Sequence, residues 1–152
     1  MTYQDEKFQE AANITAQTYG NFIEDGNIKY AGKHVHVDIY SAKNLDNAKL
    51  VKEAMLNCIQ AVNACMLHIH VHDFGEGFGV TGTAILAESH MSIHTWPEEE
   101  FAAVDMFTCG QCNPKLIIPV LEMYFKPGFM LTREYTRGEK YIGDRNNNSV
   151  CR

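Results

Sequence analysis

The residues with the clearest chemical potential are Glu88, Ser89 and His90, followed at positions 91–98 by Met-Ser-Ile-His-Thr-Trp-Pro-Glu. A serine hydroxyl can attack the carbonyl of its own preceding peptide bond when the backbone is bent and a nearby base takes the hydroxyl proton. Such an attack converts the Glu88–Ser89 amide into an ester. The segment is therefore a candidate for self-cleavage.

An ester at this position opens a route to a built-in electrophile. His94 is the local candidate for a base that removes the α-proton of Ser89, after which β-elimination expels the Glu88 carboxylate and leaves dehydroalanine. Hydrolysis then gives a pyruvoyl group, a ketone that can form a Schiff base with a substrate amine and accept electrons. The chain would be cut into residues 1–88 and 89–152.

Three further segments carry motifs: Asp-Met-Phe-Thr-Cys-Gly at 105–110, Gly-Lys-His at 32–34, and His-Asp-Phe at 72–74 followed by a glycine-rich turn and Val-Thr-Gly. With the Glu-Ser-His stretch they resemble the prokaryotic S-adenosylmethionine decarboxylases over roughly residues 32–138. The resemblance implies a proenzyme that makes a pyruvoyl cofactor from Ser89, uses no metal, and supplies the aminopropyl donor for spermidine synthesis.

The resemblance also implies roles for residues of the reaction centre. Cys109 takes the place of the acid that protonates the α-carbon after carbon dioxide leaves, and a thiol with a pKa of about 8.5 keeps its proton near neutral pH. Thr81 takes the place of a Ser or Thr that assists processing. Glu88 is the residue on the amino side of the cut.

A substrate pocket is implied by the same resemblance. Glu98, the acid after Trp-Pro, corresponds to a glutamate that binds ribose hydroxyls, and Phe74 corresponds to a phenylalanine that stacks on adenine. Trp96 and Phe78 are further aromatic candidates, because an aromatic face attracts both purine and cationic groups. Each aromatic residue can equally be part of the core.

The turn at 75–79 departs from the family pattern. It lacks the proline of many relatives and carries Glu76, which could pair with a guanidinium or ammonium group. A pyruvoyl-dependent arginine or ornithine decarboxylase on the same scaffold is therefore the alternative to S-adenosylmethionine as substrate. A non-catalytic regulatory subunit is the alternative from another functional class.

Cys109 and Cys112 form a Cys-x-x-Cys motif, which is typical of thioredoxin-like redox pairs. The preceding sequence is rich in strands rather than a single βαβ unit, which disfavours that fold. If the chain is a decarboxylase of this family, a disulfide between Cys109 and Cys112 would block the proton donor. The competing interpretation is that Cys112 is an idle thiol.

A metal site is the other competing interpretation. His68, His70 and His72 alternate and are predicted to line one face of a strand, which His90 and His94 could approach. No acidic or cysteine partner is in register, however, and such alternation is more often a polar face or an interface. We therefore expect no metal.

Composition limits the class of protein. With 152 residues, 45% of them apolar and 21% charged, the chain is long enough for one domain with its own core. It contains no apolar run near 18 residues, and its five cysteines show no secreted spacing pattern, so we expect a cytoplasmic protein without membrane association. The net charge of −6 disfavours nucleic acid as a partner and mildly favours a cationic substrate.

The sequence pattern predicts an α+β fold: a two-layer α/β sandwich with a largely antiparallel sheet and helices on one face. The bare sheet face must be covered, so we expect a homodimer in an αββα arrangement with active sites near the interface. The chain is predicted to have an N-terminal helical extension at 1–30, with a helix at about 4–24, a decarboxylase domain at 31–140 and a flexible tail at 141–152. Within the domain, helices are predicted at about 46–64 and after Asn113. Strands are predicted at about 34–40, 66–74, 80–87, 89–96, 101–109 and 129–136.

Overall fold

A computed structural model describes residues 22–143 of the chain. Its main element is a six-stranded antiparallel sheet with strand order β4-β5-β6-β7-β3-β8. The strands are β3 (Gly32–Tyr40), β4 (Met66–Asp73), β5 (Val80–Leu86), β6 (Ser89–Trp96), β7 (Phe101–Cys109) and β8 (Phe129–Arg137). The predicted α+β class and antiparallel sheet are confirmed.

Two α-helices cover one face of this sheet. Helix α1 (Ala48–Ala61) begins after Asn47, whose side chain accepts a 3.0 Å hydrogen bond from the Leu50 N–H. It ends three residues earlier than predicted, because Asn63 adopts a left-handed conformation with φ of 55°. Neither helix of residues 22–143 is long and apolar enough to cross a membrane.

The second helix is preceded by a 3-10 turn. Asn113 caps that turn (Pro114–Ile117) by accepting from the Lys115 N–H at 3.1 Å, as its sequence position predicts. Helix α2 (Ile118–Phe125) follows, with Pro119 in its first turn, where a missing N–H removes no helical hydrogen bond. The proline therefore marks where the α-helix starts.

The hydrophobic core lies between the helices and the sheet. Alternating residues of β3 point into it, and α1 contributes an apolar stripe along one side. Fully buried members are Val35, Val37, Ile39, Val51, Met55, Cys58, Met91, Ile93, Met106, Leu121 and Phe125. Because strand side chains alternate, the remaining residues of each strand face away from the helices.

A second sheet of three short strands has the order β1-β2-β9, with β1 (Ile23–Asp25), β2 (Ile28–Tyr30) and β9 (Lys140–Tyr141). The predicted helix over about 4–24 is wrong at its described end, because Gly26, with φ of 58°, closes a tight turn that pairs β1 with β2. The rest of that helix, and most of the predicted tail, lie outside the described residues.

The face of the six-stranded sheet away from the helices, which we call the open face, is chemically mixed. Cross-strand pairing places the strand histidines on it, together with Asp38, Thr81 and Asp105. It also carries exposed apolar side chains: Ile85, Trp96, Phe129, Leu131 and Tyr135. The open face is therefore both polar and aromatic.

Candidate active site

The Glu88–Ser89 peptide bond lies at the tight connection between β5 and β6. The Glu88 side chain is 2% exposed, and both of its carboxylate oxygens accept from the Cys65 N–H, at 3.2 and 3.0 Å. A buried carboxylate held by a backbone donor fixes its own main chain in place. The residue on the amino side of the predicted cut is thus anchored.

The backbone at the predicted cut is strained and polarised. Ser89 has a φ of 154°, a region that is essentially restricted to glycine, so this serine is held by its surroundings. The carbonyl oxygen of Glu88 accepts a 3.0 Å hydrogen bond from the Cys109 N–H. A donor aimed at this oxygen stabilises the negative charge that develops when a nucleophile adds to the carbonyl.

Cys109 ends β7 next to this bond and lines a cavity of about 380 Å³ together with Glu88, Gly110 and Cys112. Burial raises the pKa of the Cys109 thiol, and the nearby Glu88 carboxylate adds to the rise. Burial and the same carboxylate also raise the pKa of Cys112. Both thiols therefore keep their protons at neutral pH, as a proton donor must.

A hydrogen-bonded group on the open face reaches the Ser89 hydroxyl. The Ser89 Oγ lies 3.1 Å from His90 Nδ1, and His90 Nε2 lies 3.4 Å from Asp105 Oδ2. The same Asp105 oxygen is 3.1 Å from His34 Nε2, while Ser92 Oγ donates to the other carboxylate oxygen. Ser89, His90 and Asp105 thus form a continuous chain of polar contacts.

The charge states in this group follow from its hydrogen bonds. Although burial opposes ionisation, hydrogen bonds from Ser92 and His34 hold the pKa of Asp105 below its ordinary value. Burial lowers the pKa of His34, against the opposing effect of its bond to Asp105. Asp105 is therefore an anion, and His34 is neutral at physiological pH.

His34, His90 and Asp105 also place their ligand atoms within 4.8 Å of one another, which is close enough to hold a metal ion. Arg137 Nη1, however, lies 3.1 Å from His34 Nδ1. A guanidinium only donates, so this Nδ1 accepts and Nε2 carries the proton. The nitrogen facing Asp105 is thus a donor rather than a free metal ligand, and the three residues fit a proton relay better than a metal.

The predicted pocket residues lie in a second cavity of about 500 Å³. Its lining includes Phe74, Phe78, Trp96 and Glu98. Phe74 is 57% exposed and Phe78 is 65% exposed, so neither belongs to the core in a single chain. Glu76 is exposed and is not among the residues that line this cavity.

Thr81 and His94 line the same cavity as the aromatic residues. They face each other across β5 and β6, with 3.1 Å between Thr81 Oγ1 and His94 Nδ1. His94 is five residues along β6 from Ser89, which at about 3.4 Å per residue is about 17 Å. Within one chain, Ser89 therefore lies at one end of the strands, and the cavity with Thr81 and His94 lies at the other end.

The row His68, His70 and His72 does lie on the open face, paired with Ile85, Thr83 and Thr81 respectively. It does not join the cluster with metal-ligand spacing. That cluster draws instead on β3, β6 and β7. No spacing of residues along the sequence indicates this cluster, although antiparallel register places His34 and His90 opposite the same residue, Phe107.

Comparison with known proteins agrees with this geometry. The family model described as S-adenosylmethionine decarboxylase matches residues 33–138. The chain belongs to this family. It is 44% identical over 112 residues to a protein of Thermomicrobium roseum named S-adenosylmethionine decarboxylase proenzyme, covering 73% of this chain and 97% of that one. A relative of the same name from Methanococcus maripaludis is 37% identical over 114 residues, covering 73% and 93%.

The fold of this family member also matches a solved structure. The crystal structure of the adenosylmethionine decarboxylase from Aquifex aeolicus superposes with a TM-score of 0.66 at 28% identity. The match covers 79% of this chain and 98% of that one. The shared part is therefore nearly the whole of the solved chain, and the predicted family is confirmed.

Proposed function

We propose that the protein cleaves itself between Glu88 and Ser89 and then decarboxylates S-adenosylmethionine, a carboxy-lyase reaction. The main support for this proposal is the geometry of the scissile bond. Its carbonyl oxygen accepts from the Cys109 N–H at 3.0 Å, and Ser89 has a strained φ of 154°. Release of the backbone strain at Ser89 and stabilisation of the oxyanion both lower the barrier to acyl transfer from nitrogen to oxygen.

The residues around this bond also fit a reaction centre built from Ser89. A pyruvoyl group there supplies an electrophilic carbonyl and an electron sink. Cys109 stands beside it with a pKa raised by burial, so its thiol holds a proton for the α-carbon after carbon dioxide leaves. Delivery of this proton to the substrate carbon replaces the carboxyl group that has left.

The chemistry of the second cavity favours a sulfonium nucleoside over arginine or ornithine. Phe74, Phe78 and Trp96 offer aromatic faces for adenine and for the sulfonium charge, and Glu98 offers acceptors for ribose hydroxyls. Glu76, the acid that suggested a basic amino acid, does not line this cavity. This placement supports S-adenosylmethionine over a basic amino acid as the substrate.

We propose that the active site is assembled between two copies of the chain. The Thr81–His94 pair and the aromatic cavity are about 17 Å from Ser89 within one chain. Packing two open faces together, with the strands of one copy running opposite to those of the other, brings the cavity of each copy to Ser89 of its partner. The exposed Leu131 and Tyr135 of the open face provide apolar surface for this contact.

We also propose a cytoplasmic location, supported by five cysteines without a secreted spacing pattern. The described cysteines Cys58, Cys65, Cys109 and Cys112 form no disulfide among themselves. A reduced compartment would keep Cys109 in the thiol form that a proton donor requires.

Two measurements test the function. Intact mass of freshly purified protein should show two fragments, 1–88 and 89–152, with a ketone at the start of the second. Release of carbon dioxide should then be assayed side by side from S-adenosylmethionine, arginine and ornithine. One uncut chain of 17.2 kDa would contradict the proposal and favour a regulatory subunit, and turnover of a basic amino acid alone would reassign the substrate.

A further inference from the structure

We propose that His90, oriented by Asp105, takes the hydroxyl proton of Ser89 in the first step of self-cleavage, leaving to His94 the later removal of the α-proton. The inference rests on the proposed function, since both assume cleavage at Ser89. It assigns two chemically different proton transfers to two histidines on opposite ends of one strand.

Geometry is the first support. His90 Nδ1 is 3.1 Å from the Ser89 Oγ, a distance at which proton transfer between the two atoms is direct. His94 points to Thr81 instead, at 3.1 Å. Within one chain, His90 is therefore the histidine that contacts the reacting oxygen.

The hydrogen-bonding pattern is the second support. Ionised Asp105 only accepts, so the ring nitrogens that face it carry protons: His34 Nε2 at 3.1 Å and His90 Nε2 at 3.4 Å. Catalytic contacts of this kind are often slightly long before reaction. With its proton on Nε2, neutral His90 presents the lone pair of Nδ1 to Ser89, as a general base must.

His34 and Arg137 hold the Asp105 carboxylate in place as a hydrogen-bond acceptor for His90. Arg137 donates to His34 Nδ1 at 3.1 Å, which fixes the tautomer in which His34 Nε2 donates to Asp105. Ser92 donates to the other carboxylate oxygen. Asp105 is thus a positioning residue that acts on Ser89 only through His90.

The step balances as follows. The Ser89 hydroxyl proton moves to His90 Nδ1 while the Oγ forms a bond to the Glu88 carbonyl carbon, whose oxygen becomes an anion held by the Cys109 N–H. The carbon–nitrogen bond of the former amide then breaks, and the imidazolium returns its proton to the Ser89 nitrogen. The products are an ester and a free amine, with His90 neutral again.

Hydroxylamine separates the two roles, because it cuts esters rapidly and leaves amides intact. Intact mass is followed with and without hydroxylamine for full-length His90→Ala and His94→Ala. The matched control is His70→Ala, which removes an open-face imidazole far from Ser89. His94→Ala should accumulate an ester that hydroxylamine cuts. His90→Ala should process about 100-fold more slowly or worse and resist hydroxylamine, and added imidazole should restore part of the rate.

Two results would overturn the inference: wild-type processing by His90→Ala, or cutting of His90→Ala by hydroxylamine as fast as His94→Ala. If His90→Ala fails to fold, Asp105→Asn in the full-length chain decides, since it keeps the shape but disturbs the tautomer. Slow, hydroxylamine-resistant processing of Asp105→Asn supports the inference, and a wild-type rate rejects it. Wild-type protein that never cleaves would instead reject the proposed function.

Discussion

The Cys109 N–H donates a 3.0 Å hydrogen bond to the carbonyl oxygen of Glu88, so the residue predicted to protonate the substrate also contacts the bond predicted to break in self-cleavage. In the proposed mechanism, two parts of this residue contribute to two reactions. The backbone N–H contributes to self-cleavage and the thiol contributes to turnover. The two contributions can be separated, because substitution of the side chain leaves the N–H in place.

Cys109→Ala should therefore still cleave itself, within a few-fold of the wild-type rate, but lose about 100-fold or more in decarboxylation of S-adenosylmethionine. Cleavage is measured by intact mass and turnover by carbon dioxide release from the cleaved fraction. Cys112→Ala, which removes a thiol from the same cavity, serves as the control and should retain both activities. Full loss of cleavage in Cys109→Ala, with folding intact, would show that the thiol itself takes part in processing.

Turnover should persist into alkaline solution. A proton donor is active while protonated, and burial together with Glu88 raises the pKa of Cys109. The rate should therefore fall only as pH rises through a value above that of an ordinary thiol, which is about 8.5. The check is a pH profile of kcat on fully processed enzyme. An alkaline limb below the ordinary thiol pKa would assign the titration to another group.

The strand pattern and the position of the candidate cleavage bond could be predicted from sequence because both are local. Alternation placed all six main strands within two residues of their observed ends, and the motif at 88–98 singled out the Glu88–Ser89 connection, where the structure has a strained backbone. The small sheet was missed because β1, β2 and β9 have only two or three residues each, too few for a periodic signal. Gly26 after Asp25 was the turn signal that favoured a hairpin over the end of a helix.

The relay could not be predicted, because it depends on strand register. His34 and Asp105 are 71 residues apart and meet only because β3 pairs with β7. By contrast, the distance between His94 and Ser89 already follows from the predicted strand at 89–96, because each residue of a strand adds about 3.4 Å. Motif spacing gives proximity along the chain, whereas antiparallel pairing decides which side chains meet.

Glu98→Gln should weaken substrate binding. Hydrogen bonds to a charged group contribute about 1.5–3 kcal/mol, so loss of the carboxylate should raise KM for S-adenosylmethionine by about 10-fold or more with a smaller change in kcat. Glu99→Gln, in the same exposed turn but outside the cavity lining, is the matched control. Equal KM values for the two variants would remove Glu98 from the pocket.

Oxidation should not switch the enzyme through Cys112. Burial raises the pKa of both Cys109 and Cys112, so the thiolate that forms disulfides is scarce near neutral pH. Cys112→Ser and wild type should therefore lose activity at the same rate under diamide. A clearly slower loss in Cys112→Ser, restored to wild type by reductant, would instead identify a regulatory disulfide.

A mixture of two inactive chains should regain self-cleavage if His94 acts on the Ser89 of a second copy. Ser89→Ala lacks the nucleophile and His94→Ala lacks the base for the α-proton, so neither should give the pyruvoyl fragment alone. In a mixed dimer, the His94→Ala chain keeps its own Ser89 and faces an intact His94. Co-expression with different tags should therefore yield cleaved His94→Ala chains, measured by intact mass, in proportion to the mixed dimers formed.

The control is His94→Ala co-expressed with a Ser89→Ala, His94→Ala chain, which offers no second histidine and should leave every chain uncut. If the first mixture also stays uncut while mixed dimers are present, His94 and Ser89 do not meet across the interface, and the base for the α-proton must be sought among the open-face residues near Ser89 itself.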